Sequence, residues 1–318
     1  MTQPDPGAIP RALPPEPAVA RVATGGAGAG VIYDIGYRGY DGPRLGRRFA
    51  VWALFAFSWR AAFGLGRSGR AKVVPWGALA IISLPAVVQS AVIATAGPVG
   101  ARAGGGFTYD NYLFRMSLLA LVFLAAQAPE LLVGDQRQRV LSLYFAHALE
   151  RVDYALAKLA AMVASLFVIA VVPLLVLLLG QAFASSDPFG SFRDQFGSLP
   201  GIVGTAAVYV LLYSAVGMAI TAFTPRRAYA TAAIVAVFLV GSAVSPLLRR
   251  AGAGIGDWTI LLNLNTVAEG VRHALFGDEA NGAVAGASLT GTAYVGVAIG
   301  VVAVGIAAYL WRYQRIEA

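Results

Sequence analysis

The chain has 318 residues, 58% of them hydrophobic and only 13% charged, with a mean hydropathy of +0.69 and a formal charge of +8. Soluble domains are about 25% charged, so this composition excludes an ordinary soluble enzyme. The absence of cysteine excludes disulfides and thiol chemistry.

Residues 1–43 are rich in proline, alanine and glycine and read as a disordered cytoplasmic tail. Six prolines fall within residues 1–17, where the apolar core of a signal peptide would have to lie. GGAGAG at 25–30 lacks the GxGxxG spacing of a phosphate-binding loop, because positions 31 and 33 are Val31 and Tyr33, and it reads as a linker.

Over 44–72 the pattern changes. Val51, Leu54, Phe55, Ser58, Trp59, Ala62 and Phe63 recur at helical spacing, flanked or interrupted by Arg47, Arg48, Arg60, Arg67, Arg70 and Lys72. This fits a helix lying in the membrane interface, with Trp52 and Trp59 at headgroup level and Arg47 and Arg48 on lipid phosphates. Arg60, near the middle of a run shorter than about 18 residues, argues against a further span.

Residues 73–318 hold six runs that can cross a bilayer: 74–96, 113–133, 159–183, 202–223, 228–248 and 289–311. At about 1.5 Å per residue each is long enough for a hydrocarbon core about 30 Å thick. None shows the short alternation of a membrane barrel. The expected class is an all-α polytopic membrane protein, six transmembrane helices preceded by an amphipathic interfacial helix. A charged loop at 134–158 separates the second and third spans. A longer segment at 249–288 separates the fifth and sixth. Its middle, IGDWTILLNLNTVAEGVRHALFG, is too mixed to cross alone and is expected as one or two short helices lying on or dipping into the outer leaflet.

With both termini cytoplasmic, 18 of the 24 Lys and Arg fall inside, leaving Arg102, Arg115, Arg193, Arg249, Arg250 and Arg272 outside. That bias follows the positive-inside rule for a multi-pass protein of the cell membrane. The basic balance reports orientation, not nucleic acid.

Several chemistries lack their residues. Neither lysine, Lys72 or Lys158, follows a GxxxxG, so no P-loop is present. His147 and His273 fall on opposite sides in this topology. There is no HExxH, no GxSxG and no pair of intramembrane acids, so no catalytic residue, metal or cofactor is expected on this chain. The spans lack ionisable residues near their centres, where an ion-driven carrier would keep one.

The stretch PELLVGDQRQRVLSLYFAHALERVDYALAKLA at 129–160 concentrates charge between two apolar spans: Glu130, Asp135, Arg137, Arg139, Glu150, Arg151, Asp153 and Lys158. LSLYFAHAL within it reads as a short amphipathic helix, suited to a groove on a soluble partner. The run from Glu130 to Lys158 resembles the coupling-loop region of ABC-2 type permeases, the type V exporters. Six spans, an interfacial helix before them and a hydrophobic outer segment match that layout. YDIGYRGYDGPRLGRR at 33–48 is similar to the N-terminal segment of actinobacterial members. The resemblance covers about residues 33–316. Members often place a proline ahead of the loop's basic residue; this chain reads His147-Ala148-Leu149-Glu150-Arg151 there, a departure that bears on the geometry of the docking helix.

The resemblance implies the transmembrane subunit of an ATP-driven exporter. Two permease chains, identical or homologous, would bind two copies of a separate ATP-binding subunit, which holds ATP and Mg. Asp135, Arg137, Arg139, Leu141, Tyr144, Phe145, Arg151, Asp153 and Tyr154 would form the loop that transmits nucleotide-driven closure. Glu130, with Arg139, would brace that loop against the interfacial helix, and Trp258, Leu262 and Phe276 would plug an outer gate. The apolar, charge-poor spans suit a hydrophobic or amphipathic cargo. Two other readings stay open: a scaffold or regulator that transports nothing, and an ion-driven carrier, disfavoured by the missing midplane charges.

Overall fold

A backbone surrounded by hydrocarbon has no water to bond, so it must close its hydrogen bonds internally. Among the described residues every regular element is accordingly helical. The computed structural model describes residues 42, 45–103, 106–138, 140–146, 149–185, 187–252, 256–277 and 280–316, except for the side chains at 98–103, 110, 188 and 194. The tail at 1–43, expected to be disordered, lies outside the described residues apart from Gly42.

The helices are α1 (Arg47–Ala62), α2 (Gly69–Ala103), α3 (Tyr109–Arg137), α4 (Leu141–Phe145), α5 (Arg151–Phe183), α6 (Pro188–Gln195), α7 (Leu199–Phe223), α8 (Arg227–Arg250), α9 (Leu264–Phe276) and α10 (Gly291–Gln314). Six of them, α2, α3, α5, α7, α8 and α10, are long and apolar enough to cross a membrane. Each overlaps one expected run and extends beyond it, because a helix continues until a cap stops it. α5 begins well before its apolar run because Glu150 and Asp153 close a capping box at its start. α2 breaks at Gly97, whose φ of 71° suits a residue without Cβ. α1, at 16 residues, is shorter than any span.

Half or more of the apolar window of α3, α5 and α7 is buried, against about a fifth in α2, α8 and α10. The first three form the centre and the others surround it. Small residues let the helices approach, as packing in lipid requires. A Cβ on Gly180 of α5 would collide with Ser90 of α2, and one on Gly217 of α7 with Leu124 of α3. Pro129 lies inside α3 and has no N–H for the carbonyl of Ala125 four residues earlier. Thr231 of α8 donates its hydroxyl to that carbonyl at 2.8 Å, so the break in one helix becomes a bond between two.

The segment between α8 and α10 packs into the helix bundle. α9 packs against α3, α7, α8 and α10, and its residues Thr266, Val267, Ala268, Glu269, Gly270, Val271 and Arg272 are all buried. Burial on every side is possible because its two charges satisfy each other. Arg272 donates to Glu269 through Nε at 3.0 Å and Nη2 at 2.8 Å. The Asn281 backbone and side-chain amides donate to the same carboxylate at 2.9 and 2.8 Å, with the Tyr209 hydroxyl at 3.4 Å. A buried pair supported in this way avoids the cost of an uncompensated charge.

Candidate functional site

The charged loop lies at the end of the bundle where α3 stops, α5 starts and α10 finishes. Its position is set from α5 outward. In the capping box the Glu150 backbone N–H donates to Asp153 at 3.1 Å. Arg47, in the first turn of α1, reaches the same two acids, with Nε 2.7 Å and Nη2 2.9 Å from the Asp153 carboxylate and Nη1 on Glu150. The bond to Asp153 raises the Arg47 pKa further above its ordinary value, so the guanidinium stays charged. Arg47 therefore pins α1 to the loop, which corrects its expected place on lipid phosphates. α1 turns Leu54, Ser58 and Ala62 inward while Trp52 stays 62% exposed, stacked on Phe55 at 5.1 Å. Trp59 is partly buried and meets Phe63 edge-on, and Arg48 is exposed.

Two further acids brace the end of α3. Glu130 pairs with both Arg67, in the turn after α1, and Arg227, at the start of α8. Glu130 thus ties the end of α3 to the turn after α1 and to the start of α8, while Arg139, its expected companion in bracing the loop, lies outside the described residues. Asp135 accepts a hydrogen bond from the Tyr154 hydroxyl at 2.7 Å and pairs with Lys158 at 2.8 Å. The Lys158 side chain is 4% exposed and also donates to the Leu131 carbonyl at 3.0 Å. Burying a polar group this deep is tolerated because its hydrogen bonds are made within the protein.

An aromatic cluster fills the space between. Tyr154 is fully buried, with Tyr144 at 5.5 Å, Phe145 at 6.2 Å and Tyr313 at 5.4 Å between ring centroids. Gln136 donates to the Tyr313 hydroxyl at 2.8 Å, Tyr309 to the Ala155 carbonyl at 3.0 Å, and Arg151 to the Gln314 carbonyl at 2.8 Å. The Arg151 guanidinium lies 5.9 Å from the centroid of the Phe145 ring.

This arrangement divides the face expected to dock a partner. Leu141 is 5% exposed and belongs to the chain's own core, and Tyr144 and Phe145 turn inward onto Tyr154. The outward apolar side chain of α4 is Leu143, 66% exposed, with Arg137 exposed beside the loop. Leu141, Tyr144 and Phe145 are therefore fastenings of α4, and Leu143 is its exposed apolar side chain. The sequence reading missed Arg47 as a loop partner and Gln136, Tyr309 and Tyr313 altogether. The YLWRYQ ending of the last span carried the signal, since Tyr309 and Tyr313 share a helix face four residues apart.

Two of the three expected outer gate residues are open to the surface of the chain. Trp258 and Leu262, on a 3-10 turn at Gly256–Leu262, are 55% and 51% exposed. Phe276 lies against Gly204 of α7, where a Cβ would strike its ring. Trp258 and Leu262 thus plug nothing within a single chain. Among the described residues no group of three or more His, Cys, Asp or Glu could hold a metal ion. No family model matches the chain, and no curated protein matches its sequence.

Proposed function

We propose that this protein is the permease subunit of an ATP-driven exporter of ABC-2 type, oriented with both termini and the charged loop in the cytoplasm of the cell. It would pair with a second permease chain and with two copies of an ATP-binding subunit that carries ATP and Mg. The observation that carries the reading is the mounting of α4. Its inward face is fastened to α3, α5 and α10 through Tyr154 and Tyr313, and the start of α5 is fastened to α1 through Arg47. A soluble subunit that engaged Leu143 and pushed α4 would move four helices together. Nucleotide-driven closure would then reach the spans as one displacement and pass an amphipathic or hydrophobic cargo outward.

The test is co-purification from the native membrane after gentle solubilisation. An ATP-binding subunit should accompany the wild-type chain. Leu143→Asp should reduce it about tenfold or more, the effect of losing one apolar anchor, while the variant keeps the wild-type elution volume. Leu141→Asp is unsuitable, since Leu141 is core and its loss would unfold the loop. If no ATP-binding subunit accompanies the wild type, the exporter reading fails and a scaffold role replaces it.

A further inference from the structure

A cavity of about 1050 Å³ opens between α1, the turn after it, the end of α3 and the start of α8. Five basic side chains line it, Arg60, Arg67, Arg137, Lys158 and Arg227, against two carboxylates, Glu130 and Asp135. The acids are already used: Glu130 holds Arg67 and Arg227, and Asp135 holds Lys158. Arg60 and Arg137 line the same cavity and make no ion pair among the described residues. The cavity is therefore cationic in excess, with two guanidiniums left to take an anion. Guanidinium is the side chain best matched to the oxygens of a phosphate.

A second cavity adjoins it. Leu65 lines both, and the second is a largely apolar groove of about 540 Å³ bounded also by Val73 and Trp76, with Lys72 its one charged side chain. Leu65, Val73 and Trp76 are 38%, 67% and 49% exposed. A basic chamber that opens through one leucine onto an apolar groove, beside an interfacial helix, matches a molecule with an anionic head and a hydrocarbon tail. A free phosphate would use only the first half.

We propose that this pair of cavities is a binding site for an anionic phospholipid, with Arg60 and Arg137 on the headgroup phosphate and an acyl chain along Leu65, Val73 and Trp76. Glu130 and Asp135 then have a second role. By holding Arg67, Arg227 and Lys158 in place, they keep the chamber open and prevent the five cations from repelling it apart. The site depends on no partner subunit, so it stands whether or not the chain belongs to an exporter.

The experiment is native mass spectrometry of the full chain, purified in detergent and titrated with phosphatidylglycerol or phosphatidylcholine. The wild type should take up one phosphatidylglycerol saturably and show no matching step for phosphatidylcholine. Arg60→Gln with Arg137→Gln should weaken that uptake about 25-fold, about fivefold for each basic residue. Neither residue makes an ion pair among the described residues, so the variant should fold. Arg60→Lys with Arg137→Lys, which keeps the charge, should lose less. Arg226→Gln with Arg312→Gln removes two cations from the same end of the bundle that do not line the cavity, and it should stay within about twofold of wild type. Equal binding of the two lipids, or equal losses in the two glutamine pairs, would overturn the proposal. Glycerol 3-phosphate separates the sources of phosphate. If it displaces phosphatidylglycerol at comparable concentration, the occupant is a soluble phosphate and the lipid assignment is wrong.

Discussion

Pro129 shows how one residue can serve packing through what it lacks. It removes a helical hydrogen bond from the carbonyl of Ala125, and the Thr231 hydroxyl replaces it from another helix. An unpaired carbonyl in an apolar surround is costly, and interhelical hydrogen bonds in membranes contribute about 1 kcal/mol. Thr231→Val, nearly the same shape without the hydroxyl, should therefore destabilise the chain by about 1 kcal/mol. In a Pro129→Ala background the carbonyl regains its helical donor, and the same substitution should cost less than about 0.3 kcal/mol. Unfolding in mixed micelles across the four variants measures the difference. Equal costs in both backgrounds would mean that Thr231 acts by packing alone. The buried Glu269–Arg272 pair follows the opposite logic: a residue kept for what it has. Each charge is tolerable only because the other, with Asn281 and Tyr209, completes the set.

Among the elements, the segment between α8 and α10 is held by a clamp of three parts. Arg249 ends α8, Asp257 sits on the 3-10 turn, and Ser288 precedes α10. Asp257 accepts from the Ser288 backbone amide at 2.8 Å and from its hydroxyl at 2.7 Å, and the Arg249 guanidinium lies 3.1 Å away. Arg249 also donates to the Gly286 carbonyl. The Ser288 donors, followed by Arg249, hold the Asp257 carboxyl below its ordinary pKa. A depressed carboxylate pKa means that the clamp is complete above about pH 3.9, the unfolded value, and weakens as pH falls through the folded one. A spin label on Ala285→Cys, an exposed position, should be equally immobile from about pH 5 to 8 and gain mobility only in stronger acid. Adding Asp257→Asn should free the label at every pH; an immobile label in that variant would show that the carboxylate holds nothing. The apolar runs made the six long helices legible, because a period and a length are local properties. The burial of α9 was not legible. Its Glu269 and Arg272 read as polar interruptions of a short helix lying on or dipping into the outer leaflet, and the groups that bury them, Tyr209 and Asn281, lie 60 and 12 residues from Glu269. The loop was half legible for the same reason. Its charges stand out in the sequence, but Arg47 meets Asp153 across 106 residues, and only the fold says which charge meets which.

For the molecule as a whole, the six spans place α4 at one end of the bundle and the turn at Val284–Gly286 at the other, since three spans separate the loop after α3 from the segment before α10. Which end faces the cytoplasm is a matter of charge. The loop end carries Arg47, Arg67, Arg137, Arg151, Lys158, Arg226, Arg227, Arg312 and Arg315, while the other end carries Arg115, Arg193, Arg249 and Arg250. Ion pairing does not erase that bias, because Arg137, Arg226 and Arg312 keep no acid partner among the described residues. Lysine and arginine in short loops resist translocation, so the loop end should stay inside. The chain contains no cysteine, and any introduced thiol is therefore the sole target of a maleimide. Ala146→Cys follows α4 and Ala285→Cys lies in the far turn, both exposed. In intact cells a membrane-impermeant maleimide should label Ala285→Cys and leave Ala146→Cys untouched, and permeabilisation should expose both. The reverse pattern would put the charged loop outside, beyond reach of any cytoplasmic ATP-binding subunit, and would remove the exporter reading while leaving the six-helix fold intact. Labelling of both thiols from outside would require an even number of crossings between them, and one of the three spans α5, α7 and α8 would then have to lie outside the membrane.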